Sequence, residues 1–338
     1  MALSLNNSRL SLNTGKSHGP LVEEIEGLIR VYKDGHVERP AIIPSVPCKI
    51  SPELKVTARD ITLDRYTNLW ARIYVPQHGP GKLPLLVYFH GGGFCVGSAS
   101  WSCYHDFLSN LASKAGCLIM SVNYHLAPET RLPGAYEDGF NTVMWLKHQV
   151  ASRSNEHSWW LNYWEFGLGF FLGGDSAGAN IAHNVSLRIG IEPSIIRPLC
   201  HKGTILIQPF FGGEVRTSSE KAPQNPYSVL SLSASDTYWR LSLPLGTNRD
   251  HPWCNPLGKG AAKLGGHAIP ATMLCVSDMD ILMDRNIEFY KTMVNAGKAV
   301  KMMIYKGVGH AFQILDNSPV SAGRTQEMMS HLKSFINS

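Results

Sequence analysis

The pattern of apolar and polar positions changes character near residue 84. Lys55–Leu63 and Asn68–Val75 alternate apolar and polar side chains, which is typical of half-buried antiparallel strands. Leu85–Phe89 is instead apolar throughout, as in a strand that is covered on both faces. Nearer the start, Leu28–Tyr32 and His36–Arg39 flank a Lys-Asp-Gly turn and predict a hairpin.

Beyond residue 89, segments of helical and strand periodicity alternate along the chain. The predicted helices are Tyr104–Lys114, Tyr136–Val150, Ser176–Ile189, Arg285–Ala296 and Thr325–Ile336. The predicted strands are Cys117–Val122, Phe170–Gly173, Gly203–Ile207, Thr272–Val276 and Val300–Tyr305. This alternation predicts an α/β fold with a mostly parallel central sheet and helices on both faces.

The chain is expected to form one large domain. Its 338 residues are enough for one large or two medium domains, but we find no internal repeat and no long linker. We therefore predict a disordered tail over residues 1–24 and a single α/β domain over 25–338. Within it, residues 25–80 supply the hairpin, the first strands and part of a cap. Residues 209–268 are rich in Pro, Gly and Ser and predict a loop-rich insertion above the sheet.

Composition excludes several classes of protein. Hydrophobic residues make up 44% of the chain and the formal net charge is +5, without any basic block. This argues against disorder and against a nucleic-acid partner. The seven cysteines are scattered and form no CxxC pair, which argues against a disulfide framework or a metal site and favours a reducing compartment.

The expected location is the cytoplasm. We find no apolar run of the length that a signal peptide or a membrane helix needs, so no membrane partner is predicted. Residues 1–20 are Ser-rich and free of acidic residues, and they contain Arg9 and Lys16; a transit peptide is the alternative to a flexible tail. We expect a monomer or a weak dimer that needs no cofactor.

A candidate nucleophile lies in the sequence Gly174-Asp175-Ser176-Ala177-Gly178, which matches G-x-S-x-G. An apolar strand precedes it and a good helix follows. A strand-to-helix turn this tight excludes bulk on both sides, so Gly174 and Gly178 have a steric role. A glycine-rich structural turn or a phosphate loop is the alternative interpretation of the motif alone.

Candidate oxyanion donors lie in His90-Gly91-Gly92-Gly93, directly after the strand Leu85–Phe89. Acyl transfer needs N–H donors where the carbonyl oxygen becomes negatively charged, and consecutive glycines let the backbone approach that point. We assign Gly92 and Gly93, with Gly91 close by, together with the N–H of Ala177. The alternative is a flexible loop with an ordinary histidine.

The candidate base is His310, which follows the strand Val300–Tyr305 through a short loop. His251, His267 and His331 lack such a placement. Three aspartates compete to orient the imidazole, because Asp278, Asp280 and Asp284 all follow the strand Thr272–Val276. Asp280 is preferred, since Asp278 comes early in the turn and Asp284 begins a helix. The order Ser176, Asp280, His310 is that of an α/β-hydrolase.

These motifs, with several further segments, resemble the plant carboxylesterases in the hormone-sensitive-lipase-like branch of the α/β-hydrolases. The further segments are Asn123–Glu129, Pro133, Glu137-Asp138, Gln208–Gly213, Arg249–Pro252, Asn255-Pro256, Asp280–Asp284 and Gly309–Phe312. The resemblance covers residues 25–336. It implies an α/β-hydrolase fold, and it supports Asp280 over Asp284 as the carboxylate.

The chain departs from the family pattern at three places, one of which is Met283, where the family usually has arginine or lysine. His125 stands where the family usually has arginine, which leaves the ion pair with Glu129 or Asp138 open. Trp159-Trp160 and Trp164 make the segment before the nucleophile strand unusually aromatic, either as part of a lid or acyl wall or as plain core.

The predicted function is a serine carboxylesterase that hydrolyses small, fairly apolar esters through an acyl-enzyme. One alternative is a non-catalytic small-molecule receptor, since gibberellin receptors resemble this fold but lack the catalytic histidine. Another is an eliminating or cyclising enzyme that reuses the oxyanion hole, with the serine often replaced. His310 argues against the first alternative and Ser176 against the second.

Overall fold

The computed structural model describes residues 18–77, 81–152, 155–223 and 228–338. Its strands are β1 (Leu21–Ile25), β2 (Ile29–Tyr32), β3 (Val37–Glu38), β4 (Val56–Asp64), β5 (Leu69–Pro76), β6 (Leu85–Phe89), β7 (Leu118–Asn123), β8 (Phe170–Asp175), β9 (His201–Ile207), β10 (Ala271–Ser277) and β11 (Val300–Tyr305). Its helices are α1 (Ser102–Ala115), α2 (Gly134–Ser152), α3 (Ser158–Leu161), α4 (Ala177–Ile191), α5 (Ser218–Lys221), α6 (Leu232–Ser242), α7 (Met283–Asn295), α8 (Phe312–Leu315) and α9 (Pro319–Ile336).

The chain divides at Pro40 into two compact units. In the first, β1, β2 and β3 form a small antiparallel sheet, and the predicted hairpin is the β2–β3 pair. Strand β1 begins at Leu21, within the stretch expected to be a disordered tail, because buried Ile25 and Ile29 pair across a tight turn. The remainder of the predicted tail, residues 1–17, lies outside the described residues, as does most of the alternative transit peptide.

The second unit is built on an eight-stranded sheet with the order β11-β10-β9-β8-β6-β7-β5-β4. The strands from β11 through β7 pair in parallel, whereas β5 and β4 are antiparallel additions at one edge. The predicted mostly parallel sheet is therefore confirmed. In this order β8 lies between β6 and β9, so the loops that follow these three strands meet at the same edge of the sheet.

Helices cover both faces of this sheet. On one face α1, α8 and α9 pack together, and the buried side of α1 carries Phe107, Leu108 and Leu111, as its periodicity predicts. On the other face α4 packs on β8 and β9, with α2 against it; the α7 residue Phe289 reaches the α4 residue His183 (ring centroids 4.9 Å apart). No helix in the described ranges has both the length and the apolar character needed to cross a bilayer.

The stretch over residues 209–268 contains more regular structure than expected. Helices α5 and α6 lie within it, and α6 is an 11-residue helix whose N-terminus is capped by Ser231, which accepts the Ala234 N–H (3.1 Å). Tyr238 and Trp239 form its buried side. The serines that made this stretch look like loop are here a helix cap and helix positions.

We expect the packing of α2 against α4 to be sensitive to one methyl group. A Cβ on Gly139 would lie 2.7 Å from Val185 Cγ2, whereas one on Gly323, in the exposed part of α9, would meet nothing within 4 Å. Gly139→Ala should lower the free energy of unfolding by about 1–2 kcal/mol through overpacking. Gly323→Ala should raise it by about 0.5–1 kcal/mol, because alanine favours the helix. Urea unfolding of both variants checks this, and equal shifts would contradict it.

Candidate active site

The candidate nucleophile lies in a sharp turn between β8 and α4. Ser176 has φ 51° and ψ −118°, a backbone conformation that is rare for residues other than glycine. Its N–H donates to the Ile207 carbonyl (2.8 Å), and its own carbonyl accepts the N–H groups of Phe210 (3.0 Å) and Asn180 (3.1 Å). These hydrogen bonds hold the strained turn and set the point from which the hydroxyl projects.

The glycines on both sides of Ser176 lie where the turn between β8 and α4 contacts the end of β6. A Cβ on Gly178 would lie 1.9 Å from the Phe89 carbonyl oxygen, and a Cβ on Gly174 would lie 2.5 Å from the same atom. Because that neighbour is backbone, it cannot move aside as a flexible side chain would. This is the steric role that the sequence pattern predicts for the two glycines.

Two loops at the same sheet edge bring a histidine and a carboxylate to Ser176. Nε2 of His310, after β11, lies 2.9 Å from Ser176 Oγ. Nδ1 of His310 lies 2.7 Å from Oδ2 of Asp280, after β10, and the other carboxylate oxygen accepts the Leu282 N–H (3.0 Å). All three functional side chains are buried. The carboxylate holds the imidazole with its Nδ1 protonated, so that Nε2 is free to accept the serine proton.

The two other candidate aspartates have different partners. Asp278 accepts the Gly307 N–H (2.8 Å), and Asp284 accepts the Ser219 N–H (2.7 Å). Both carboxylates therefore tie loops to the sheet edge, and of the three it is Asp280 that bonds the imidazole. Asp284 lies in the first turn of α7, in agreement with its predicted position at the start of a helix.

The competing histidines lie in other surroundings. The His251 ring packs on an aromatic ring, the His267 Nδ1 donates to a backbone carbonyl, and the His331 Nδ1 is hydrogen-bonded to a phenol. Their respective partners are Trp253, Lys263 and Tyr305. The structure thus brings His310, and none of these three, to Ser176.

The glycine loop after β6 faces the same turn. Gly92 and Gly93 have φ values of +107° and +58°, and a Cβ on Gly93 would lie 2.2 Å from Cγ of the α6 residue Tyr238. Across the described ranges, no hydrogen bond occupies the N–H groups of Gly92, Gly93 or Ala177. Ala177 is the first residue of α4, where a helix leaves its N–H groups without internal acceptors. These three N–H groups remain available to an oxyanion.

The assignment of Gly91 to the oxyanion donors needs correction. Its N–H donates to the Tyr104 hydroxyl (2.7 Å), which in turn donates to Asp175 Oδ2 (3.0 Å). The Tyr88 hydroxyl donates to Oδ1 of the same carboxylate (2.8 Å). Because the Gly91 N–H already has an acceptor, Gly91 anchors the loop and does not contribute a free donor.

Burial controls the ionisation of the two titratable groups in these motifs. It raises the pKa of Asp175 to about 6, and the hydrogen bonds from Tyr88 and Tyr104 offset only part of that effect. It lowers the pKa of His90 to about 4. The neutral His90 ring stacks on Tyr124 (centroids 4.3 Å apart), and its Nδ1–H donates to the Gly91 carbonyl (2.8 Å). His90 is therefore a support for the glycine loop.

His125 keeps an ion pair at the position where the family usually has arginine. Its Nδ1 and its backbone N–H both lie 2.8 Å from Asp138 Oδ2. Partial burial acts to lower the pKa of His125, but the hydrogen bonds with Asp138 and the Thr67 carbonyl outweigh it and the pKa is raised. Both ring nitrogens face acceptors, the Asp138 carboxylate and the Thr67 carbonyl, and this arrangement is the one that an imidazolium satisfies.

Two of the three tryptophans before β8 belong to the core, whereas Trp159 is half-buried with the Arg59 guanidinium over its ring (4.8 Å to the centroid). Trp160 and Trp164 are fully buried and stack with centroids 6.1 Å apart. Trp164 forms a β-bridge with Leu83, just before β6, so the pair lies at the amino end of the strands. The candidate site lies at the carboxyl end, and the interpretation as a lid or acyl wall is wrong.

Sequence reasoning missed the tyrosines that support the site. Tyr88 and Tyr104 hold Asp175, and Tyr238 packs on the glycine loop. A usable signal was present, because a tyrosine in an apolar strand such as Leu85–Phe89 must find a partner for its hydroxyl when it is buried.

The described residues contain no group of side chains suited to holding a metal ion. In the part of the chain that the structure describes, no three His, Cys, Asp or Glu side chains cluster as the ligands of a metal ion would.

Comparison with known proteins identifies the class. Residues 86–314 match the family described as alpha/beta hydrolase fold. The chain belongs to this family, in the hormone-sensitive-lipase-like branch that includes the plant carboxylesterases. It is 47% identical to probable carboxylesterase 6 of Arabidopsis thaliana over 330 residues, covering 96% of this chain and 94% of that protein.

Two other similarities show the range of the family. The chain is 36% identical to 2-hydroxyisoflavanone dehydratase of Glycyrrhiza echinata over 324 residues, covering 93% of this chain and 95% of the relative. An esterase structure from Pyrobaculum calidifontis superposes with a TM-score of 0.68 at 25% identity, covering 82% of this chain and 84% of that one.

The raised pKa of Asp175 predicts how stability depends on pH. A carboxyl whose pKa is higher in the folded than in the unfolded state favours folding when protonated, and this contribution is lost as pH rises from about 4 to about 6. Asp175→Asn is neutral throughout. The free energy of unfolding of the wild type, relative to this variant, should therefore fall by about 3 kcal/mol across that window. Urea unfolding at stepped pH measures the difference; a constant difference would refute the assignment.

Proposed function

We propose that this protein is a serine carboxylesterase that hydrolyses small, fairly apolar carboxylic esters. Ser176 is the nucleophile, His310 the base and acid, and Asp280 the orienting carboxylate. The observation that carries the proposal is the hydrogen bond of 2.9 Å between Ser176 Oγ and His310 Nε2, with Asp280 on the other ring nitrogen at 2.7 Å. The carboxylesterase relative and the esterase structure support the same reaction.

Acylation follows from this arrangement. His310 takes the hydroxyl proton as Ser176 Oγ attacks the ester carbonyl carbon, and the carbonyl oxygen becomes an oxyanion. The N–H groups of Gly92, Gly93 and Ala177 donate to that oxyanion; a donor of this kind contributes about 3–4 kcal/mol to the transition state in other enzymes. The imidazolium then protonates the leaving alkoxide, and the acyl group stays on Ser176.

Deacylation reverses the roles. His310 removes a proton from a water molecule, whose oxygen attacks the acyl carbon, and the same N–H groups stabilise the second oxyanion. The proton returns to Ser176 Oγ as the acid leaves. Asp280 stabilises the imidazolium in both halves of the cycle through its hydrogen bond to Nδ1.

The surroundings of His310 offer space for part of an ester. A cavity of about 280 Å³ borders His310, and its lining combines apolar residues such as Val229, Met279 and Phe312 with polar Ser228 and Asp316. Since the leaving alcohol receives its proton from His310, the alcohol half of the ester must lie on the histidine side of the site. This cavity can receive an alcohol half that carries hydrocarbon surface and a polar group.

The two alternative functions use less of this geometry. A small-molecule receptor gains nothing from a buried chain of serine, histidine and carboxylate. An eliminating enzyme, the activity named for the Glycyrrhiza echinata relative, needs a base but no nucleophile. The hydrogen bond that activates the Ser176 hydroxyl favours ester hydrolysis over both.

We further propose that the protein acts in the cytoplasm. All seven cysteines are free thiols, including the exposed Cys200. Free thiols, one of them on the surface, are typical of a reducing compartment.

Removing the nucleophile should abolish hydrolysis. Ser176→Ala is expected to lower kcat toward p-nitrophenyl butyrate on the order of 10⁶-fold, because no acyl-enzyme can form. Ser121→Ala is the matched control, since Ser121 is a fully buried serine of β7 whose hydroxyl has no partner among the described residues. A Ser176→Ala variant as active as Ser121→Ala would refute the proposed function.

The three residues should act as one unit. His310→Ala should lower kcat about as much as Ser176→Ala, and the double variant should lose little more, whereas Asp280→Asn should lose less. Steady-state kinetics of these four variants and of His251→Ala test this. Additive losses, or a larger effect of His251→Ala than of His310→Ala, would show that the assignment of the base is wrong.

A further inference from the structure

We infer that Gln208, directly after β9, is a positioning residue that sets the distance between Ser176 and His310. The inference rests on the proposed function and deepens it. Gln208 touches neither reacting side chain in the described contacts; it acts through the backbone on both sides of His310. In the family resemblance, Gln208 is the first residue of the segment Gln208–Gly213.

The amide of Gln208 holds both neighbours of the histidine. Its Oε1 accepts the Ala311 N–H at 2.7 Å, and its Nε2 lies 3.4 Å from the Gly309 carbonyl oxygen. The same Nε2 also donates to the Ser277 hydroxyl at the end of β10. One side chain thereby supplies an acceptor and donors that match the loop on either side of His310.

The backbone around Gln208 holds the other partner. The residue before it, Ile207, accepts the Ser176 N–H (2.8 Å), and Phe210 donates its N–H to the Ser176 carbonyl (3.0 Å). The Gln208 N–H itself donates to the Cys275 carbonyl (2.8 Å). A segment of four residues therefore binds the nucleophile turn through its main chain and the histidine loop through one side chain.

Gln208 and Ala311, which are joined by a hydrogen bond, both have an unfavourable backbone conformation. Gln208 has φ 47° and Ala311 has φ 55°, and Gln208 is completely buried. Non-glycine residues hold such conformations only where their surroundings determine them. The hydrogen bond from the Ala311 N–H to Gln208 Oε1 joins the two unfavourable residues directly.

The rest of the histidine loop is held farther from the imidazole. Gly307 donates to Asp278, and Met279 donates to the Val308 carbonyl (3.2 Å). These contacts fix the approach of the loop but not the residues next to His310. An apolar side chain at position 208 would leave the Ala311 N–H and the Gly309 carbonyl without this partner, and the imidazole would shift relative to Ser176.

The expected effect is on catalysis more than on substrate affinity. A misplacement of about 1 Å costs on the order of 10²-fold in rate. Gln208→Leu should therefore lower kcat by about 10- to 100-fold and change KM by less than about threefold. The matched control is Gln149→Leu, because Gln149 is a buried glutamine of α2 whose Oε1 has no hydrogen-bond partner in the part of the chain that the structure describes.

A second variant at the same residue, Gln208→Glu, tests the effect on His310 without an apolar substitution that could prevent folding. Gln208→Glu keeps the size and the acceptor for Ala311 but loses the amide donor and adds a negative charge near His310. The ionisable groups that already act on His310 are Asp280 and Asp175. The added charge favours the imidazolium, so the pH at which kcat/KM is half-maximal should rise by about 0.5–1. That rise follows from the added charge alone, so the positioning role itself is tested by the loss of kcat and by the low-field NMR signal, which a structural role distant from His310 would not change.

The experiment measures kcat and KM for p-nitrophenyl butyrate between pH 5 and 9, per folded protein. It also records the low-field proton NMR signal of the His310–Asp280 hydrogen bond. The full chain is used in five forms: wild type, Ser176→Ala, Gln208→Leu, Gln208→Glu and Gln149→Leu. A displaced NMR signal and a lower kcat in the Gln208 variants alone, with the higher half-maximal pH in Gln208→Glu, would support the inference. If Gln208→Leu fails to fold, the Glu variant decides by the same readouts.

The two possible failures are distinguishable. If Ser176→Ala is inactive but both Gln208 variants match Gln149→Leu in kcat, pH profile and NMR signal, the inference about Gln208 is wrong and the proposed function stands. If Ser176→Ala hydrolyses the ester like the wild type, the proposed function is wrong. In that case an unchanged low-field signal in the Gln208 variants would also overturn the positioning role.

Discussion

The hydrogen bond between Ser176 and His310 joins two residues that lie 134 positions apart in the chain. Neither residue can set this distance alone, because each projects from a separate loop at the carboxyl edge of the sheet. The parallel pairing of β8, β9, β10 and β11 brings those loops together, since the strands all end at one edge. The sheet therefore determines the distance of 2.9 Å between Ser176 Oγ and His310 Nε2.

Close packing of the turn between β8 and α4 against the end of β6 is the second constraint. Gly174 and Gly178 let the Phe89 carbonyl approach so closely that a single Cβ would collide with it. The same closeness places the glycine loop beside the Ser176 turn. Buried tyrosines then hold both motifs to one carboxylate, since the Tyr104 hydroxyl accepts from Gly91 and donates to Asp175. Oxyanion donors and nucleophile are therefore parts of one buried network.

The elements with strong periodicity were predictable, and those whose stability depends on tertiary contacts were not. Leu85–Phe89 and Val300–Tyr305 were predicted with the bounds that the structure has. Leu85–Phe89 is continuously apolar because it is a parallel strand buried on both faces. Helix α6 was missed because its serines suggested a loop, although Ser231 is its cap. Gly91 was placed among the free donors because a glycine run carries no information about which N–H groups already have acceptors.

The sequence by itself determined the fold class, and it predicted the chain order of the candidate nucleophile, carboxylate and base with Asp280 preferred among three aspartates. These follow from local pattern, chain order and resemblance to a family. Only the tertiary structure decided that the Gly91 N–H is occupied, that Trp160 and Trp164 are core, and that Gln208 reaches both neighbours of His310. Each of these depends on the direction of a side chain or an N–H group relative to a distant strand, and direction is set by packing.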